Sequence, residues 1–125
     1  MDLLNCKDIS ELENFLNAFN QKIGIFGSLV ISDDGLIILS SRDLSNNIDL
    51  ESVAADAANI FNSDNNFYKE ALLSLNEMKV YVTRMDDEKI KNSKSMIFIS
   101  ILPPNIRYYK RKINKIKNKI KLFFI

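Results

Sequence analysis

Residues 26–41, FGSLVISDDGLIILSS, place two short apolar runs around an Asp-Asp-Gly turn. No other segment limits the fold as strongly. Asp34-Gly35 favours the positive φ angles of a tight hairpin turn. Phe26–Ser32 and Leu36–Ser41 are therefore predicted as paired strands. Leu29, Val30 and Ile31 run together, as do Leu36 to Leu39. A half-exposed sheet would alternate, whereas unbroken apolar runs predict strands covered on both faces. Helices should then lie on each side of the sheet.

The flanking segments supply those helices. Leu12, Phe15, Leu16, Phe19 and Ile23 recur at helical spacing and predict a helix over Ile9–Ile23. Asp8 and Glu11 form a capping-box-like start, with Ser10 as the other capping candidate, and Gly24 is a stop. After a polar loop, Arg42 to Ile48, Asp49 is the N-cap of a second helix. Its sequence, IDLESVAADAANIF, places Leu50, Val53, Ala54, Ala57, Ala58, Ile60 and Phe61 on one broad apolar arc.

Phe67–Leu75 fits two readings. Lys-Glu-Ala-Leu-Leu favours helix by propensity, while Phe67, Ala71, Leu73 and Leu75 also alternate. The strand is preferred, because another strand, Lys79–Met85, follows at once and a hairpin through Asn76 would join them. Asp86–Lys94 is a charged loop, and Met96–Leu102 is a buried strand. Pro103-Pro104 ends it and suits the first turn of a helix. Ile106, Tyr109, Ile113, Ile116, Ile120 and Phe123 then form a single apolar seam on a basic C-terminal helix, 103–125. The order αββαβββα predicts one α/β domain over 1–125. It is a three-layer sandwich with a five-stranded mixed or antiparallel sheet and helices on both faces.

Chemistry has few places to reside. The chain has no histidine, the commonest general base and transition-metal ligand. Cys6 is the one cysteine, which excludes an intramolecular disulfide and leaves zinc without ligands in number. Gly24, Gly27 and Gly35 form no phosphate-binding fingerprint. Asp33-Asp34 and Asp86-Asp87-Glu88 lack calcium-loop spacing. No catalytic, cofactor-binding or metal-binding residue is therefore assigned, and the chain is read as a non-enzyme. Arg42, Arg84, Arg107 and Arg111 are candidates for an arginine acting on a partner's nucleotide, although ordinary surface charge explains them as well. Neither a secretory leader nor an apolar run of membrane-spanning length is visible, so a cytoplasmic location is expected.

Charge is divided sharply along the chain. Residues 1–88 carry 6 basic and 16 acidic groups, net −10, and residues 89–125 carry 11 basic and no acidic groups, net +11; together they give +1. The tail could fold over its own acidic domain or meet an anionic partner. Three readings of the basic helix stay open: a cover helix on the sheet, a helix on an anionic membrane surface, or a nonspecific nucleic-acid binder, the weakest of the three. Arg107, Lys110, Arg111, Lys115 and Lys119 are the candidate contacts to an anionic partner.

The element order, the apolar-DDG-apolar hairpin and the AADAA helix after a polar loop resemble the roadblock family, over nearly the whole length. Longin and profilin-like domains share the layering, but the hairpin leading into the AADAA helix favours roadblock. The Asp86–Lys94 loop is more polar, and the last helix more basic, than the family pattern requires. The resemblance implies a non-catalytic dimeric scaffold that binds a small Ras-like GTPase and modulates or localises it. The dimer could be a homodimer or a mixed pair with a paralogue. It implies further that the second helices of two subunits pack side by side and their sheet edges join, which makes Val53, Ala54, Ala57, Ala58 and Phe61 the candidate dimer or partner interface. It does not imply an arginine finger. The alternative function is an adaptor recruited to anionic membranes by the C-terminal helix.

Overall fold

The computed structural model describes residues 8–41, 49–61, 70–75, 77–85 and 96–123. In chain order the elements are α1 (Ile9–Ile23), β1 (Gly27–Ser32), β2 (Ile37–Ser40), α2 (Leu50–Phe61), β3 (Glu70–Ser74), β4 (Lys79–Arg84), β5 (Met96–Leu102) and α3 (Lys110–Phe123). This is the αββαβββα order that the hydropathy pattern predicts. The ambiguous stretch before Lys79 is a strand where it is described. Its residues 67–69, the turn residue Asn76 and the loops 42–48 and 86–94 lie outside the described residues, as does Cys6.

The helix signals act as capping chemistry requires. The Asp8 carboxylate accepts the Glu11 backbone N–H at 2.9 Å. Gly24 takes the left-handed conformation (φ 78°) and its N–H closes the helix on the Asn20 carbonyl. Asp49 caps α2 through the Ser52 N–H and hydroxyl, at 3.2 and 2.8 Å. Those hydrogen bonds from Ser52 hold the Asp49 carboxyl below its ordinary pKa.

The strands order as β2-β1-β5-β4-β3, and every neighbouring pair is antiparallel. Side chains of β1, β4 and β5 alternate between two cores. On one face Val30, Tyr81, Phe98 and Leu102 pack with Leu12 and Leu16 of α1 and Ile113, Ile116 and Ile120 of α3. On the other, Leu29, Ile31, Val80, Val82, Ile97 and Ile99 pack with Ala54, Ala57, Ala58 and Phe61 of α2. Two-sided burial is why MIFISIL and SLVIS do not alternate between apolar and charged residues. Each fully buried aliphatic side chain contributes about 1.5–3 kcal/mol relative to exposure.

Two expectations are corrected. The second hairpin strand is an edge and is not covered on both faces: Leu36 is 67% exposed and Ile37 38%. The register of its pairing shifts between Val30 and Ile31. A continuous apolar run does not reveal whether a strand has one neighbour or two. The last helix, in turn, starts at Lys110 and not at the prolines. Ile106 N–H bonds to the Pro103 carbonyl in a turn. Tyr108 then adopts φ 59°, outside the helical region, and the chain reverses before Tyr109 packs edge-on against Tyr81, with ring centroids 5.6 Å apart.

Candidate interaction surfaces

The apolar arc of α2 lies on the protein's own sheet. Ala54 and Ala57 are fully buried, and Ala58 and Phe61 nearly so. Val53 is half-buried at the flank. Four of the five residues expected at a partner interface therefore belong to the core of the protomer. The physical reason is their size: alanines let α2 settle close to a sheet whose own residues there are large aliphatics, mostly β-branched. A further reason is the hairpin turn, which leans on α2. A Cβ added at Gly35 (φ 91°) would meet Ala58 Cβ at 3.5 Å, Ala55 Cα at 3.6 Å and the Ala54 carbonyl oxygen at 3.7 Å. What α2 presents to solvent is a different, mostly polar strip: Glu51, Ser52, Ala55, Asp56 and Asn59.

The C-terminus of α2 is held from the sheet. Arg84, one of the arginines considered for action on a nucleotide, donates from Nη2 to the Phe61 carbonyl at 2.6 Å and stacks over the Phe61 ring, 5.0 Å from its centroid. A guanidinium at exposed helix carbonyls is favoured by the helix dipole and by the ring face. Arg84 thus anchors α2. Arg42 lies outside the described residues.

Beside α2 runs the sheet edge formed by β3. Ala71 and Leu73 face α2 and are half-buried, whereas Leu72 and Leu75 are 44% and 52% exposed. Among the described residues no strand pairs with the outer side of β3. Such an edge offers backbone donors and acceptors to another strand.

The opposite face is closed by α3. Its isoleucine seam is buried against the sheet, so α3 is a cover helix. A polar strip along its side fixes its position. The Glu70 carboxylate accepts Tyr81 O–H at 2.5 Å and pairs with the Lys110 ammonium at 2.9 Å. Asn114 Nδ2 donates to Tyr81 Oη at 3.2 Å, and Lys117 Nζ to Thr83 Oγ1 at 2.8 Å. The hydrogen bond from Tyr81, then that from Lys110, hold the Glu70 carboxyl below its ordinary pKa. Burial and the bond to Glu70 push the Tyr81 phenol up to about 12. Burial lowers the Lys117 ammonium.

Arg107, Lys110, Arg111, Lys115 and Lys119, the candidate contacts to an anionic partner, are all exposed. They do not form one patch of equal character: Lys110 is engaged with Glu70, and Arg107 sits in the loop before α3. Sequence reasoning missed a groove of about 550 Å³ between α1 and α3, lined by Phe15, Phe19 and Lys22 on one side and Lys115, Ile116 and Lys119 on the other. Its signal was present in α1, where Phe15, Ala18, Phe19 and Lys22 recur at three- and four-residue spacing. Among the described residues, no group of three His, Cys, Asp or Glu side chains could hold a metal ion. None of the described helices is long and apolar enough to cross a membrane.

No protein-family model and no curated protein sequence matches the chain. Solved structures do. MglB of Myxococcus xanthus superposes with a TM-score of 0.72 at 14% identity, over 94% of this chain and 98% of that one. The chain has the roadblock/MglB-like fold. The gliding protein MglB of Thermus thermophilus is similar at a TM-score of 0.71 and 12% identity, over 91% and 88% of the two chains. A roadblock/LC7 domain from Streptomyces avermitillis gives 0.58 at 15% identity, over 92% and 98%. In this roadblock fold, Leu73 of the β3 edge packs with α2, the one helix on that side of the sheet among the described residues. Near 14% identity, likeness of this extent is carried by element order and layering, with the turn glycine and the small residues of α2 among the local details that allow it.

Proposed function

We propose that the protein is a non-catalytic, dimeric regulatory scaffold that binds a small Ras-like GTPase in the cytoplasm and modulates or localises it. The observation that carries this reading is the unequal cover of the sheet in a roadblock fold. Five strands about 4.8 Å apart span roughly 24 Å, whereas one helix with its side chains covers about 10–12 Å. Among the described residues, α1 and α3 cover one face, and α2 alone covers the other. A second copy placing its own α2 alongside, with β3 edges joined, would complete that layer. The proposed contact strip is Ser52, Ala55, Asp56 and Asn59 with the flank of Val53, in place of the buried alanines. An identical chain or a paralogue would fill the place of the second copy equally well, since the strip carries no feature that distinguishes them.

The test is binding of a small GTPase encoded beside this protein's gene, loaded with GDP or with a non-hydrolysable GTP analogue, followed by analytical ultracentrifugation. A complex in at least one nucleotide state is expected. No complex in either state would count against the GTPase reading while leaving the dimer intact.

The membrane reading of the basic helix has one support, the exposed Arg111, Lys115 and Lys119. Against it, the isoleucine seam of Ile113, Ile116 and Ile120 lies on the sheet and leaves Leu122 as the exposed large apolar side chain among the described residues of α3.

A further inference from the structure

The groove between α1 and α3 lies on the sheet face opposite α2, and the proposed function makes no use of it. Its floor is apolar: Phe15, Phe19 and Ile23 of α1 and Ile116 of α3. Its rim is cationic, with Lys22 on one wall and Lys112, Lys115 and Lys119 on the other. All four lysines are exposed, and among the described residues none forms an ion pair with an acid of this chain. No carboxylate lines the groove among the described residues.

We propose that this groove docks an acidic amphipathic helix of a partner protein. Three features select that occupant. The lining runs from Phe15 to Ile23 and from Lys112 to Lys119, each about two helical turns or 10–12 Å, the length over which i, i+4 and i+7 anchors of a docked helix repeat. Apolar floor and lysine rim together match an apolar stripe flanked by Asp or Glu, whereas a flat anionic surface would meet the lysines and leave the floor unfilled. A second copy of this chain supplies no such helix among its described elements, since the apolar faces of α1 and α2 are already buried in their own cores. This inference stands on the α1–α3 face and is independent of the GTPase reading.

The probe is a fluorescein-labelled peptide of about 18 residues, long enough to form helix in solution. It carries leucines at i, i+4, i+7 and i+11 with glutamates on both flanks. A scrambled peptide of the same composition is the control, and fluorescence anisotropy the readout. The intact protein should bind the amphipathic peptide at least roughly tenfold more tightly than the scrambled one, since losing the anchors removes at least about 1.4 kcal/mol. The triple substitution Lys112→Glu, Lys115→Glu, Lys119→Glu should weaken binding by about tenfold or more. Ala18→Trp, at an exposed position on the groove wall, fills the space without touching a charge and should weaken it similarly, with unchanged thermal unfolding as the check on folding. Equal binding of the two peptides would overturn the proposal by showing that charge alone acts. So would binding indifferent to Ala18→Trp. Lysine-dependent capture of phosphatidylserine–phosphatidylcholine vesicles with no binding of the peptide would also overturn it, and would assign the rim to a membrane surface.

Discussion

The two faces of the sheet are built differently. The face under α1 and α3 is filled by bulky side chains (Leu12, Leu16, Tyr81, Phe98, Ile113) and closed at its side by the hydrogen bonds that Tyr81 and Lys110 donate to Glu70. The face under α2 is met by three alanines and a phenylalanine, and it ends at the β3 edge with half-buried Ala71 and Leu73. On the first face, two helices of the protomer cover the sheet. On the other, a single helix lies among the described residues, where the sheet has width for two. The contrast teaches that interaction surfaces in this fold are set by layer geometry more than by any reactive group.

The largest effects should come from breaking either core. Ile113→Ala or Leu16→Ala removes buried methyl groups from the two-helix face and should cost about 2–5 kcal/mol in urea unfolding. Ala57→Lys places an ammonium in the core under α2 and should cost several kcal/mol, on the scale of burying an unpaired charge. A folded, monomeric Ala57→Lys protein would restore that alanine to the partner interface and would contradict its burial.

The latch on the two-helix face makes stability depend on pH at both extremes. The folded pKa of Glu70 is lowered, so its contribution is present above the ordinary carboxylate value of 4.5 and is lost as pH falls through the lower, folded value. The folded pKa of Tyr81 is raised, so its contribution is complete below 10.0 and is lost as pH rises toward about 12. Denaturation midpoints measured across pH should show both limbs. Glu70→Gln should flatten the acid limb and Tyr81→Phe the alkaline one, while neither should alter self-association.

Gly35→Ala should have a smaller effect, about 1 kcal/mol, because alanine is strained at φ 91° while its Cβ would meet Ala58 at an ordinary 3.5 Å. The measurement is a urea titration. A cost several times larger would mean that the turn and α2 pack more tightly than this distance implies.

The fold was largely legible in the chain. Asp8, Gly24 and Asp49 announced helix ends, Asp34-Gly35 announced the hairpin, and the apolar run Met96–Leu102, broken only by Ser100, announced a buried strand. Local sequence was silent on lateral position. Leu36 to Leu39 reads like a central strand and is an edge, because neighbours in a sheet are fixed by the whole topology. The basic helix began later than its prolines suggested, since the turn at Tyr108 leads into a Tyr109–Tyr81 contact between residues distant in sequence. At the candidate surface, composition showed that α2 was small and apolar but could not show whose sheet the alanines touch. The α1–α3 groove was hidden for the same reason: Phe15 and Lys115 lie far apart in the chain and meet only after the sheet has formed.

The proposed dimer depends above all on the strip that α2 turns to solvent. Ala55 is exposed on this strip, so Ala55→Arg should change stability by no more than about 0.5 kcal/mol. Sedimentation equilibrium of the wild type beside this variant is the direct measurement. The wild type should sediment at twice the 14.4 kDa chain mass and Ala55→Arg at the mass of one chain. A wild type that stays at one chain mass, or a variant that stays at two, would contradict the proposed surface.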